Sequence, residues 1–295
     1  MTLTPTRTLM QNAAAAGTGI GAFNVIHLET AEALVAGAEL AGLPVILQIS
    51  QNCATYHGAL SPIALASLAI AGAASVPVAV HLDHAEDENL ALQAVDLGFG
   101  SVMYDGAHLP YAENVAATAR VTAYAHAAGV FVEAELGKVG GKDGAHAPGV
   151  RTDPAEAVAF VAATGVDALA VAVGSSHAMT KRDAALDLEL IAQLRSALDV
   201  PLVLHGSSGV ADAQIVDAIR AGMTKINVST HLNGFFTAAV RRYLAENEFV
   251  VDSRRYVAAG RDAVTGEAAR LLTVFASGCR IATGADATLA VDIKG

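Results

Sequence analysis

The chain has 295 residues, room for one large or two small domains and a sizeable core. With 18 Lys and Arg against 29 Asp and Glu, its formal net charge is −11. That excludes a general nucleic-acid binder, because a phosphate backbone needs clustered cations, but leaves room for a small anion in a local basic pocket.

Residues 1–20 read as a helix and lead-in, and 22–25 as a short strand. Residues 29–41 place Ala31, Leu34, Val35 and Ala38 on one helical face. Gly42 stops that helix, and Pro44 precedes a strand over 45–50. Leu60 to Leu82 carries no Asp, Glu, Lys or Arg and is long enough to span a bilayer. Pro62, Gly72 and Pro77 divide it, however, into a helix over about 61–74 and a strand over 78–83. No basic region precedes a strongly apolar one, so no signal peptide and no membrane partner are expected. Cys53 and Cys279 lie far apart and form no metal or disulfide pattern, which suits a reducing cytoplasm.

Further strands are expected at 101–105, 130–135, 168–174, 201–205 and 225–228. Leu97-Gly98-Phe99, Ala128-Gly129-Val130, Thr164-Gly165-Val166 and Ala221-Gly222-Met223 share one joint. In each, Gly closes a helix and an apolar residue opens the next strand. Eight strand–helix units in this length predict a (β/α)8 TIM barrel over about 20–245. A C-terminal extension of about 246–295, with a helix near 256–276, completes a single domain. A doubly wound sheet is the runner-up, but no Gly-x-Gly-x-x-Gly follows the first strand. Val139 to Thr152 reads as a long loop, expected to be mobile.

The strand ends carry the chemistry. Strand three, Val78 onward, is apolar until His81-Leu82-Asp83-His84; the alternative is two solvated histidines in a loop. Strand four ends in Asp105, strand five in Glu133-Ala134-Glu135, and strand six in Gly174-Ser175-Ser176-His177. Strand seven ends in His205-Gly206-Ser207-Ser208-Gly209, and strand eight in Asn227-Val228-Ser229-Thr230. His84, His177 and His205, each a plain hydrogen-bonded histidine when taken alone, together predict an open three-histidine zinc site. The Ser- and Gly-rich ends of strands seven and eight predict a phosphate cradle of N–H groups and hydroxyls, with Lys181 as a candidate cation.

These motifs, together with Gly21-Ala22-Phe23-Asn24, Val102-Met103-Tyr104-Asp105-Gly106, Gly140-Gly141 and Asp252-Ser253-Arg254-Arg255-Tyr256, resemble the class II, zinc-dependent fructose-bisphosphate or tagatose-bisphosphate aldolases. The resemblance covers nearly the whole barrel in order. It implies that zinc on His84, His177 and His205 serves as electron sink, while Asp83 exchanges the C4-hydroxyl proton. Asp105 and Glu135 match positions that hold a second or displaced metal, so a second divalent or a monovalent cation is also implied. Gly206, Ser207, Ser208, Asn227, Val228, Ser229, Thr230 and Lys181 would bind the phosphate of dihydroxyacetone phosphate, with Asn24 and Ser50 near the ketose.

Three departures stand out. Ala178 replaces the family's usual Gly beside the phosphate, Thr180 replaces a Tyr, and the loop after Gly140-Gly141 lacks a Glu for which Asp143 is the candidate substitute. Competing readings are a metal-dependent hydrolase on the same barrel and a non-catalytic subunit that supports an aldolase. Two further expectations follow. The helix from Pro62 to Ala74 is apolar all round, so it should lie in a homodimer or homotetramer interface, or else beneath the C-terminal extension. For a second phosphate the sequence offers only loosely placed cations (Lys138, Lys142, Arg151, Arg254, Arg255, Arg261), and Glu267 should repel it.

Overall fold

The computed structural model describes residues 3–136, 151–176, 179 and 181–278. Eight parallel strands close into a barrel in sequence order. They are β1 (Ile20–Asn24), β2 (Val45–Ser50), β3 (Val78–Ala85), β4 (Ser101–Tyr104), β5 (Phe131–Leu136), β6 (Ala168–Val171), β7 (Leu202–Leu204) and β8 (Met223–Val228). The surrounding helices are α1 (Thr6–Ala16), α2 (Leu28–Ala41), α3 (Gln51–His57), α4 (Ser61–Ala73), α5 (Glu88–Asp96), α6 (Tyr111–Ala127), α7 (Pro154–Thr164), α8 (Leu188–Ala197), α9 (Asp212–Ala221), α10 (Thr230–Glu246) and α11 (Ser253–Ala276). The expected (β/α)8 architecture is the observed one.

Strand side chains alternate between two cores, as the two-residue period requires. Outward positions such as Phe23, Leu47, Val80 and Val132 pack under the helices. Inward positions fill the lower barrel with small residues, Ala22, Ile46, Ala79, Ala168 and Ala170, closed from below by Leu9, Met10 and Ala13 of α1. Higher on the same inward faces the residues turn polar: Asn24, Gln48, His81, Asp83, Glu133, Glu135, Lys225 and Asn227 are buried or half-buried. The switch from alanine to ionisable groups along one face puts the chemistry at the C-terminal mouth.

Several boundaries move. β3 runs to Ala85, two residues past Asp83, while β4 stops at Tyr104, leaving Asp105 just beyond it. β6 ends at Val171, and β8 begins at Met223. Helix α3 was not foreseen; Ser50 Oγ caps it by accepting the Cys53 N–H at 3.2 Å. The extension helix α11 lies along α2, where a Cβ on Gly37 would come within 2.8 Å of Ala268 Cβ and of the Thr265 carbonyl oxygen. Among the described residues, α11 therefore covers α2 and α10 rather than α4, whose outer residues Pro62, Leu65 and Ala69 are exposed. Among the described residues no single helix is long and apolar enough to cross a membrane; α3 and α4 reach that length only together, across a 115° bend.

Candidate active site

The mouth of the barrel is shaped first by a defect in β3. Its pairing with β4 shifts register between Leu82 and Ala85, and His84 takes φ = 48°, the only positive φ outside glycine among the described residues. A left-handed non-glycine residue costs about 1–3 kcal/mol and persists where the surroundings over-determine it. In a regular strand Asp83 and His84 would face opposite sides. The bulge turns both into one cavity of about 320 Å³, which they line together.

Two imidazoles and four carboxylates meet at its floor. His84 Nδ1 lies 2.9 Å from Asp105 Oδ2, and His84 Nε2 lies 3.9 Å from Asp83 Oδ1. The His205 ring stands 4.6 Å from that of His84, with Nδ1 at 3.2 Å from Glu135 Oε2 and Nε2 at 3.0 Å from Glu133 Oε1. Donor atoms of Asp83, His84 and His205 fall within 4.8 Å of one another, and so do those of His84, Asp105 and Glu135. Asp83 Oδ1 is buried with no hydrogen-bond partner among the described residues. Borderline nitrogen donors, hard oxygens and a buried oxygen awaiting a partner fit a divalent cation. His177, the expected third histidine, and Ala178 and Asp143 lie outside the described residues.

The electrostatics agree. Burial would raise the Asp83 carboxyl, but His84, His205, Lys225 and His81 outweigh it and bring it down to about 2. Burial would lower His205, but Glu133 and Glu135 push it up to about 9. The pair that stabilises a proton on His205 sets up the same negative field for a metal ion.

Beneath the site runs a buried chain that the sequence reading did not assign. Lys225 Nζ donates to Glu133 Oε2 at 2.8 Å and stands 3.3 Å from His81 Nε2, and His81 Nδ1 meets Ser101 Oγ at 2.8 Å. His81 is therefore neither solvated nor a ligand; burial and Lys225 drive its pKa down to about 3. Asp83 is held from the side. Gln48 Nε2 donates to Asn24 Oδ1 at 2.7 Å, and Asn24 Nδ2 donates to Asp83 Oδ2 at 2.9 Å. Gln48 was missed, although Ile46, Gln48 and Ser50 share the inward face of β2 and a Gln there is a buried polar group that must be satisfied.

The opposite wall is built by the loops after β7 and β8. Gly206 has φ = 67°, and a Cβ there would meet the Ser176 carbonyl oxygen at 2.5 Å, so glycine lets the loop after β7 touch the loop after β6. A 3₁₀ turn, Ser207–Gly209, follows. Ser207 Oγ bonds the Asn227 carbonyl and faces away from the cavity. Ser208 Oγ accepts the N–H groups of Ser229 at 3.4 Å and His231 at 3.2 Å, leaving its own proton for an incoming oxygen. Helix α10 starts at Thr230 without a cap from the Ser229 side chain, and its N-terminal end, with Ser229 and Thr230, borders the cavity. Gly206, Ser208, Asn227, Ser229, Thr230, Asn24 and Ser50 all line the cavity.

Other placements differ from expectation. Lys181 is exposed and does not line the cavity, and Val228 belongs to the core. Among the described residues no Lys or Arg lines this cavity. Glu267 does not face a substrate either. It is buried in α11, takes the His231 ring at 2.6 Å, and is gripped by Arg270. The expected repulsion of a second phosphate therefore loses its basis. Of the loose cations, Arg254 pairs with Asp252 at 2.9 Å and Arg261 with Glu32 at 3.4 Å, while Lys138 and Lys142 lie outside the described residues.

Known proteins resemble this chain over nearly its whole length. The sequence profile of the family described as "Fructose-bisphosphate aldolase class-II" matches residues 4–279. A Geobacillus stearothermophilus protein named fructose-bisphosphate aldolase is 41% identical over 268 residues, covering 90% of this chain and 93% of its own. The YdjI aldolase from Escherichia coli K12 superposes with a TM-score of 0.79 at 31% identity, over 94% of this chain and 98% of its own. A candidate fructose-1,6-bisphosphate aldolase from Coccidioides immitis gives 0.83 at 28% identity, over 93% and 96%.

Proposed function

The chain belongs to the class II fructose-bisphosphate aldolase family, and from that premise we propose that it cleaves a ketose phosphate reversibly to dihydroxyacetone phosphate and an aldehyde, with zinc as its cation. The candidate substrates are fructose or tagatose 1,6-bisphosphate and the related ketose 1-phosphates. One observation carries the reading: the donor atoms of Asp83, His84 and His205 lie together, and Asp83 and His84 line a cavity that Gly206, Ser208, Asn227, Ser229 and Thr230 also line.

His84 and His205, with His177, would hold the cation, and Asp105 and Glu135 a second or displaced one; when bound, the cation supplies Lewis-acid polarisation of the ketose oxygens. The residues of this chain do the rest. Ser208, Ser229, Thr230 and the first N–H groups of α10 bind the phosphate and fix the distance from it to the scissile bond. Asp83, ionised throughout the neutral range, accepts the C4-hydroxyl proton as the C3–C4 bond breaks and returns it in the condensing direction. Asn24 and Gln48 keep its carboxylate aimed at that hydroxyl. No lysine is needed as a Schiff base, and Lys225, tied to Glu133 below the floor, is not placed to form one.

A single domain in the cytoplasm, assembled as a homodimer or homotetramer, fits this reading. The bare apolar face of α4 supports the assembly, and the buried free thiol of Cys53 supports the compartment. The hydrolase alternative has no use for the phosphate wall, and a non-catalytic subunit has no use for a strained His84 beside an oriented Asp83.

The test is a comparison of kcat/KM for fructose and tagatose as 1-phosphates, 1,6-bisphosphates and free sugars, with dihydroxyacetone phosphate as the coupled product. Cleavage confined to phosphorylated ketoses supports the proposal. Comparable turnover of free ketoses would remove the phosphate wall from the account.

A further inference from the structure

The phosphate wall is not self-supporting. We propose that Glu267 and Arg270 of the C-terminal helix are positioning residues that hold the loops after β6, β7 and β8 in the arrangement that binds phosphate; this rests on the phosphate-binding reading above.

Glu267 is 6% exposed. Its Oε1 receives the His231 ring at 2.6 Å and Arg270 Nη2 at 2.6 Å, and its Oε2 receives Arg270 Nε at 2.8 Å. His231 is the second residue of α10, and its own N–H is one of the two that fasten Ser208 Oγ. Fixing the His231 ring therefore fixes the first turn of α10, whose Thr230 lines the cavity. Phe235 packs against the same ring at 5.1 Å and limits its rotation.

The other branch reaches the remaining loops. Arg270 Nη1 donates to Asp212 Oδ2 at 2.5 Å. Asp212 opens α9, three residues after the Ser207–Gly209 turn. Its other oxygen takes Arg182 Nη2 at 2.6 Å, and Arg182 Nε donates to the Val210 carbonyl at 2.8 Å. Arg182 comes from the loop after β6, and Met179 of that loop sits against Gly209, where a Cβ would come within 2.5 Å of its Sδ. One turn of α11 thus ties three loops that are far apart in sequence. Its side chains line no part of the cavity, so its influence is on geometry. The burial of Glu267 matters here: an exposed ion pair contributes little, whereas a buried carboxylate with three hydrogen bonds from His231 and Arg270 is held in one orientation.

The experiment uses the full-length protein with its metal and measures three things for Glu267→Gln, Arg270→Met and Arg270→Lys. These are inorganic phosphate affinity by calorimetry, the separate kcat and KM for the best ketose phosphate, and metal content. The proposal expects phosphate Kd and substrate KM to rise about tenfold in E267Q and R270M, the scale of a displaced binding group, with kcat within threefold, metal content unchanged, and partial rescue in R270K. Kd and KM within twofold of wild type in E267Q would overturn it. So would a fall in kcat and metal content as large as the rise in KM, which marks a merely structural helix. If R270M does not fold, Asp212→Asn tests the same branch by the same readouts. Failure of the wild type to bind inorganic phosphate would overturn the phosphate reading itself, a result distinct from variants that bind like wild type.

Discussion

Replacing Asn24 by alanine removes the group that aims Asp83 while leaving every expected metal ligand in place. Asn24 gives one hydrogen bond to a carboxylate at 2.9 Å and receives one from Gln48 at 2.7 Å. A hydrogen bond to a charged group contributes about 1.5–3 kcal/mol net. If most of that is spent on the orientation of Asp83 in the transition state, kcat should fall by roughly 10- to 150-fold, at about 1.36 kcal/mol per factor of ten. The variant also strands Gln48 Nε2 in a buried pocket, a further cost of about 1–3 kcal/mol to stability, or a few degrees in Tm for a chain of this length. The assay is steady-state cleavage of the best ketose phosphate with metal content measured on the same sample. A kcat within twofold of wild type, with metal retained, would refute the claim that the Gln48–Asn24 pair positions the proton-transfer group. A loss of metal in step with kcat would place Asn24 in support of the cation site instead.

Three further outcomes follow from the same geometry. Asp83→Ala should retain the metal but lower kcat by about two to four orders of magnitude, the scale of general acid–base catalysis; metal loss would make Asp83 a ligand, which its place beside His84 and His205 also allows. Gly206→Ala must adopt a left-handed conformation costing about 1–2 kcal/mol and drive Ser176 away, so both Tm and metal content should fall, and a protein unchanged in both would disprove the close loop contact. Burial would raise the Glu267 carboxyl, but Arg270 and His231 hold it below the ordinary carboxylate range. Its stabilising effect is then present above the unfolded-state value and lost as pH falls through the folded one. In urea titrations E267Q should therefore be less stable than wild type at pH 7, with the gap closing below about pH 4; a gap that widens on acidification contradicts the sign.

The barrel was legible because its punctuation is local. Gly98, Gly129 and Gly165, each at positive φ, mark helix ends in the sequence as they do in the structure. The strand-end residues were legible for the same reason, since Asp83, His84 and His205 stand where apolar runs stop. What was hidden depends on partners distant in sequence. The turn of His84 comes from a register shift against β4, which no run of residues in β3 announces. Gln48 acquires its role only through Asn24, on the neighbouring strand, and Glu133 only through Lys225, 92 positions later. Glu267 was misread because its charge was counted and its partners were not: an acid beside an open site repels anions, whereas one enclosed by Arg270 and His231 does not face them. Helix α3 escaped because its signal is a single serine cap after a strand.

The central claim is that cleavage takes place at a cation held by the histidines of the barrel mouth with Asp83 beside it. Its most direct test is the rate of dihydroxyacetone phosphate release from fructose 1,6-bisphosphate by one preparation of the protein, measured before chelation, after chelation, and after titration with zinc. The account predicts loss of turnover on chelation and recovery that saturates at one zinc per chain. Undiminished cleavage by the chelated, metal-free protein would contradict it.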